Sequence, residues 1–219
     1  MCDYKKLSID FLIQCYFGDV TDDPVLAAID KAYIDMQTHT VKVEKGRENA
    51  LFERRRIVTE ELYDAIKILP ETKDPFDKWH KELTCEIQKK GNVKGVKPLT
   101  IGQIQKWINM TIKYCFVLKQ LGIDKIDDYF NEKNANCFHA PLDSYVLKEI
   151  GQGEPAWSKI KEYDQYKERI KNVSFCRELE KWPEWANKAK FRQDGEERKA
   201  DKGTYKRYIQ DGEGYNFKR

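Results

Sequence analysis

Three observations predict an all-α fold. Apolar residues recur at three- and four-residue spacing in one segment after another. The segments are punctuated by helix starters (Ser8, Pro24, Asp74 with Pro75, Thr100) and by helix stoppers (Gly18, Pro70, Gly122). The chain has 219 residues, 40% of them hydrophobic, which is enough apolar surface to bury a core. Lys+Arg 40 against Asp+Glu 37 leaves a net charge of +3, so any binding to nucleic acid has to rest on local patches.

The first helix is expected over Ser8 to Tyr16, capped by Ser8, with Ile9, Leu12, Ile13 and Tyr16 or Phe17 turned inward. Val25 to Met36 follows Pro24, with Val25, Ile29, Ala32, Tyr33 and Met36 on one face. His39 falls in a polar turn and is expected to be solvated. Asn49 to Leu69 carries Arg54, Arg55 and Arg56 in a row; consecutive helical residues point in different directions, so at least two of them are expected on solvated faces. Asp74 to Gln88 restarts with Asp74 as cap and Pro75 at the first helical position, burying Phe76, Trp79, Leu83 and Ile87 and leaving His80 on the surface.

The six cysteines stand singly, without a CxxC pair. Cys137-Phe138-His139 is the nearest approach to a metal spacing, and a structural role outweighs a ligand role there, so neither a metal nor a cofactor is expected. The first apolar run is broken by Asp10 and Gln14, too short and too polar for a signal or a membrane span. A cytoplasmic monomer with free thiols is expected.

Function is most legible from Lys97 to Tyr145 and in the lysine-rich stretch just ahead of it. Lys89, Lys90, Lys94 and Lys97 share a short stretch with Gly91 and Gly95 and no acid. Glycine lets backbone approach a partner and lysine attracts phosphate, although an ordinary surface loop has the same composition. Thr100 and Gln103 then form the signature of a capping box. Ile101, Ile104, Ile108, Ile112 and Cys115 mark the buried face of the next helix, and Lys106 lies nearly opposite with Asn109, Met110 and Lys113, facing solvent or a cleft. Further on, Pro141 excludes helix before it, which puts Asp143 at the N-terminus of a helix running to Ile150. A cap is the ordinary role for such an aspartate.

The segment PLTIGQIQKWINM resembles the hairpin and following helix of the helix-hairpin-helix DNA glycosylases, and HAPLDSYVL resembles their Val-Pro-Val-Asp-like segment. The spacing and the Gln105-Lys106 pair are closest to the archaeal 8-oxoguanine DNA glycosylase branch. The likeness covers about 50 of the 219 residues, and Thr100-Ile101 stands where that family has Gly-Val. It implies a helical domain over 1–219, with two helical subdomains flanking a cleft as one arrangement. The hairpin and catalytic segment would be 89–150. It further implies a glycosylase/AP lyase that removes an oxidised purine such as 8-oxoguanine from double-stranded DNA.

In that scheme Lys106 is the nucleophile and Asp143 its acidic partner. Lys89, Lys90, Lys94, Lys97, Gly102 and Gln103 bind DNA, and Trp107, His139, Trp182 and Trp185 are candidates for the base pocket. An unperturbed lysine titrates near pH ~10.4, so Lys106 needs burial or a neighbouring cation to attack at neutral pH, and Lys113 is too far along the helix to supply much of that.

Pro155 opens a further helix-like run with Trp157, Ile160, Tyr163 or Tyr166 and Ile170 inward. Ser174 to Phe191 follows, with a bend expected at Pro183 between Trp182 and Trp185; core packing is the commoner fate of both, against stacking on a flipped base. The segment 186–219 holds ten Lys/Arg against six acids, a local net of +4, interleaved with aromatics. A phosphate-tracking arm and a partly disordered tail both fit this composition. Two other functional classes stay open. One is a non-catalytic helical nucleic-acid-binding module and the other is a helical protein-interaction domain.

Overall fold

The computed structural model describes residues 3–36, 43–152 and 155–195, without the side chains of residue 48 and of 186–195. His39 and the basic run beyond residue 195 lie outside it. The chain divides into two units, Met1–Glu180 and Lys181–Arg219.

The described elements are helical: α1 (Tyr4–Phe17), α2 (Pro24–Asp35), α3 (Glu48–Ile66), α4 (Lys73–Lys90), α5 (Ile101–Gln120), α6 (Glu132–Ala135), α7 (Ser144–Glu149), a 3-10 turn (Trp157–Lys159), α8 (Tyr163–Ile170) and α9 (Phe175–Gly195). Extended pairing among the described residues is confined to two isolated bridges, Val43 with Val96 and His139 with Ser174. No described helix is long and apolar enough to cross a membrane.

The caps explain where the helices begin. Asp23 accepts from the Leu26 N–H ahead of Pro24, and Thr100 with Gln103 closes a full capping box on α5. Two starts differ from expectation. Asp3, not Ser8, caps α1, and Ser8 instead bonds the Tyr4 carbonyl within the first turn. Helix α4 begins at Lys73 behind Thr72, which leaves Asp74 in the first turn. The run after Pro155 splits into the 3-10 turn and α8, whereas α9 continues through Pro183.

Helix α5 is the axis of the first unit. It packs most extensively on α2 and also touches α4, α8 and the 3-10 turn. It is therefore buried on nearly every side: Ile104, Ile108, Ile112 and Cys115 are in the core as expected, but so are Lys106, Asn109 and Lys113 on the other face. Helix α1 is the opposite case, since only Ile13 is buried and Leu12 and Tyr16 stand exposed.

Candidate active site

The structure brings Lys106 and Asp143 together. The Lys106 Nζ lies 3.9 Å from Asp143 Oδ2, and the two residues are 5% and 8% exposed. Asp143 caps α7 as well: its Oδ1 accepts from the backbone N–H of Tyr145 at 2.8 Å and of Val146 at 3.0 Å. One carboxylate oxygen is thus committed to the helix and the other is turned toward the amine. Their separation is beyond hydrogen-bonding distance, so the lysine is attracted but not locked.

Burial is the main force on Lys106 and lowers its pKa, because the charged form loses water. Asp143, Asp35 and Glu178 pull the other way, and Lys113 adds a small push in the direction of burial. The amine also sits 4.6 Å from the centre of the Trp157 ring. The 3-10 turn is held here by close backbone packing on Gly102. A Cβ at Gly102 would come within 1.7 Å of the Trp157 carbonyl oxygen, and the Gly102 N–H donates to Ile160 O at 3.1 Å.

A second buried pair lies seven residues along α5. Lys113 Nζ donates to Glu178 Oε1 at 2.8 Å, while Glu178 Oε2 is buried with no hydrogen-bond partner. Burial raises the Glu178 pKa, opposed chiefly by Lys113.

A buried polar network joins this region to α4 and α8. His139 meets Asp77 through Nε2 at 2.5 Å and the Tyr166 hydroxyl through Nδ1 at 2.9 Å. Asn109 Nδ2 donates to Tyr166 at 2.9 Å and to Gln105 at 3.0 Å, and Asn109 Oδ1 meets His80 Nε2 at 3.0 Å. Burial drives His139 down to about 4, against the hydrogen bond to Asp77, so both histidines are neutral at pH 7.

Several expected roles change. His80 is not on the surface but wholly buried, bonded to Asn109 and to Tyr163. His139 is occupied on both ring nitrogens and has none left for a base. Trp107 is a core residue: it donates from Nε1 to Ile29 O at 3.1 Å and packs at a tilt against Tyr33, so it is not offered to a flipped base. Gly102 and Gln103 are buried rather than offered to DNA, because the 3-10 turn covers the first and the capping box uses the second.

Trp182 and Trp185 belong to the second unit, where Trp182 is 40% exposed and Trp185 is buried. Lys89, Lys94 and Lys97 are exposed, whereas Lys90 pairs with Glu61 and Glu86.

The loop carrying Lys94 and Lys97 rests on Arg54, the buried member of the arginine triplet, which donates from Nη1 to Lys97 O at 2.8 Å. Arg55 pairs with Asp30, and Arg56 is solvated beside Glu60. Gly95 takes φ 92 where the loop pairs with Glu44, a conformation that favours glycine.

The residues that sequence reasoning missed at the site are Trp157, Glu178, Lys113, Gln105 and Asn109. Trp157 was expected to be inward, but nothing local pointed it at Lys106. A separate cavity of ≈ 530 Å³, lined by Asp22, Tyr63, Asp124, Lys125 and Phe130 among others, includes neither Lys106 nor Asp143. Among the described residues no group of three or more His, Cys, Asp or Glu could hold a metal ion. No family model, curated protein or solved structure matches the chain.

Proposed function

We propose that the chain is a DNA glycosylase/AP lyase in which Lys106 is the Schiff-base nucleophile and Asp143 its acidic partner. The observation that carries this reading is the unlocked, desolvated Lys106 amine 3.9 Å from a carboxylate whose other oxygen is fixed in a helix cap. Burial lowers the Lys106 pKa from its ordinary value and so raises the share of neutral, nucleophilic amine. Structural lysines are instead held in direct hydrogen bonds, as Lys113 is.

The extruded nucleotide would present its C1′ to Lys106. The amine nitrogen bonds to C1′ as the bond to the base breaks. The Asp143 carboxylate stabilises the positive charge that develops on the sugar; one nitrogen proton leaves with the base, and the other passes to the ring oxygen as C1′–O4′ breaks, which leaves the imine. Elimination from that imine breaks the strand. Duplex DNA is the partner, held by Lys89 in the last turn of α4 and by Lys94 and Lys97 on the exposed loop that leads to α5. The base is an oxidised purine such as 8-oxoguanine. Glu178 Oε2, a buried acceptor without a hydrogen-bond partner, suits a ligand N–H.

Borohydride trapping on duplexes carrying 8-oxoguanine or an abasic site tests the reading. A covalent adduct that disappears in Lys106→Gln is expected. Absence of any adduct, or an adduct that persists in Lys106→Gln, would overturn it.

A further inference from the structure

We propose that Gln105 is a positioning residue of this site: its carboxamide clamps the peptide of Leu142 and so sets the gap across which Asp143 faces Lys106. The proposal rests on the glycosylase reading of those two residues. Gln105 is wholly buried and its amide is fully used. Nε2 donates to Leu142 O at 3.0 Å and to Gly102 O at 2.8 Å, while Oε1 accepts from Leu142 N at 3.2 Å and from Asn109 Nδ2 at 3.0 Å. That is two donors and two acceptor sites, all satisfied.

The clamp has one sense only. Rotating the amide would set its NH2 against the Leu142 N–H and its oxygen against the Leu142 carbonyl. The sense is held from behind by Asn109, which is fixed in turn by Tyr166 and His80, and Tyr166 by His139 and Asp77.

The placement in the chain gives the clamp its consequence. Gln105 immediately precedes Lys106, and Leu142 immediately precedes Asp143. The two reacting groups are therefore each one residue from a single pair of hydrogen bonds that ties α5 to the start of α7. The cap bonds to Tyr145 and Val146 orient the carboxylate on α7, whereas the Gln105 clamp, backed by a longer bond from Asn109 Nδ2 to Ala140 O at 3.4 Å, ties that turn to α5. Losing the clamp leaves the cap intact and lets the gap widen. Displacement of reacting groups by an ångström lowers rates by roughly 10²-fold.

A double-mutant cycle under single-turnover conditions decides the matter, read as trapping rate on an abasic duplex for wild type, Gln105→Met, Asp143→Asn and the double variant. Gln105→Met is expected to slow trapping about 10- to 100-fold in the wild-type background. In the Asp143→Asn background the same change should alter it less than about twofold. Effects that multiply in the double variant would show that Gln105 acts as general scaffold, and would overturn the proposal. Gln105→Glu keeps the acceptor for Leu142 N–H, and above the Lys106 titration it should trap faster than Gln105→Met; an equal or slower rate counts against the clamp.

A second readout needs no activity. Lys106 is faced by Asp143 from the start of α7, Asp35 from α2, Glu178 from α9 and Lys113 from its own helix. In a 15Nζ-lysine NMR titration, Gln105→Met should lower the Lys106 midpoint toward that of Asp143→Asn. A midpoint equal to wild type would refute the positioning role. Wild-type chain that forms no adduct on any duplex would sink the glycosylase reading, while this titration still tests whether the clamp sets the gap.

Discussion

Helix α5 carries two buried lysine–carboxylate pairs, and they are built differently. Lys113 and Glu178 meet at 2.8 Å in a direct hydrogen bond, as a charge pair must when it is removed from water. Lys106 and Asp143 stand 3.9 Å apart, with an aromatic face against the amine and the carboxylate's second oxygen bound to backbone. The first pair is joined by a direct hydrogen bond that uses one carboxylate oxygen and leaves Glu178 Oε2 without one. The second keeps a carboxylate close enough to act on neighbouring charge but leaves the nitrogen its lone pair when deprotonated. Both lysines are buried to a similar degree, and what separates them is the distance to their carboxylates.

The largest test of that contrast exchanges the targets. Lys106→Met is expected to abolish borohydride-trapped adduct and leave the melting temperature near wild type. Lys113→Met is expected to destabilise the fold while the folded fraction still forms adduct. The reverse pattern would assign the chemistry to the wrong pair.

Glu178→Gln comes next. It removes the carboxylate charge that faces buried Lys113 and should lower unfolding free energy by about 4 kcal/mol in urea titration, and a loss below about 1 kcal/mol would mean that the pair is solvated. Trapping of the folded fraction should start at lower pH, because a charge that raises the Lys106 pKa has gone.

The network behind the looser pair predicts a pH effect. His139 titrates at about 4 in the fold, against 6.5 without perturbation. The unfolded chain therefore takes up this proton first as pH falls. The contribution of neutral His139 is fully present above pH 6.5 and is lost as pH falls toward about 4, an effect of about 3 kcal/mol. Urea midpoints measured between pH 7.5 and 4.5 should fall accordingly, and His139→Gln should flatten the dependence.

Asp143→Asn should have the smallest effect on stability, under about 1 kcal/mol by thermal melting, because asparagine also caps helices. It should nevertheless move the onset of trapping to lower pH, since the largest charge that raises the Lys106 pKa is removed. A stability loss comparable to that of Glu178→Gln would erase the distinction between the pairs.

Local rules made much of this legible. The capping box at Thr100, the cap at Asp143 and the proline at Pro24 are short-range devices, and each starts a helix where the residue pattern indicates. The juxtaposition of Lys106 with Asp143 followed from a resemblance in the order of two segments. The polar face of α5 was not legible. Lys106, Asn109 and Lys113 read as facing solvent or a cleft, and Gln105 shows no packing role, because their partners are distant in the chain. Asn109 is satisfied by His80 and Tyr166, Gln105 by Leu142 and Lys113 by Glu178, at separations of 29 to 65 residues. Periodicity records the polarity of a face and not whether other elements will cover it. His80 was misjudged for the same reason: its flanking lysines are exposed, but its own ring points toward α5 and α8.

Gly102 has a consequence of its own. The backbone of the 3-10 turn comes so close that the carbonyl of Trp157 occupies the space a side chain at 102 would need. Trp157 in turn lies over the lysine. A single methyl group, introduced as Gly102→Ala, would therefore act as a doorstop: it would wedge the turn away from α5, lift the indole from Lys106 and let water reach the amine, with Lys106 and Asp143 themselves unchanged.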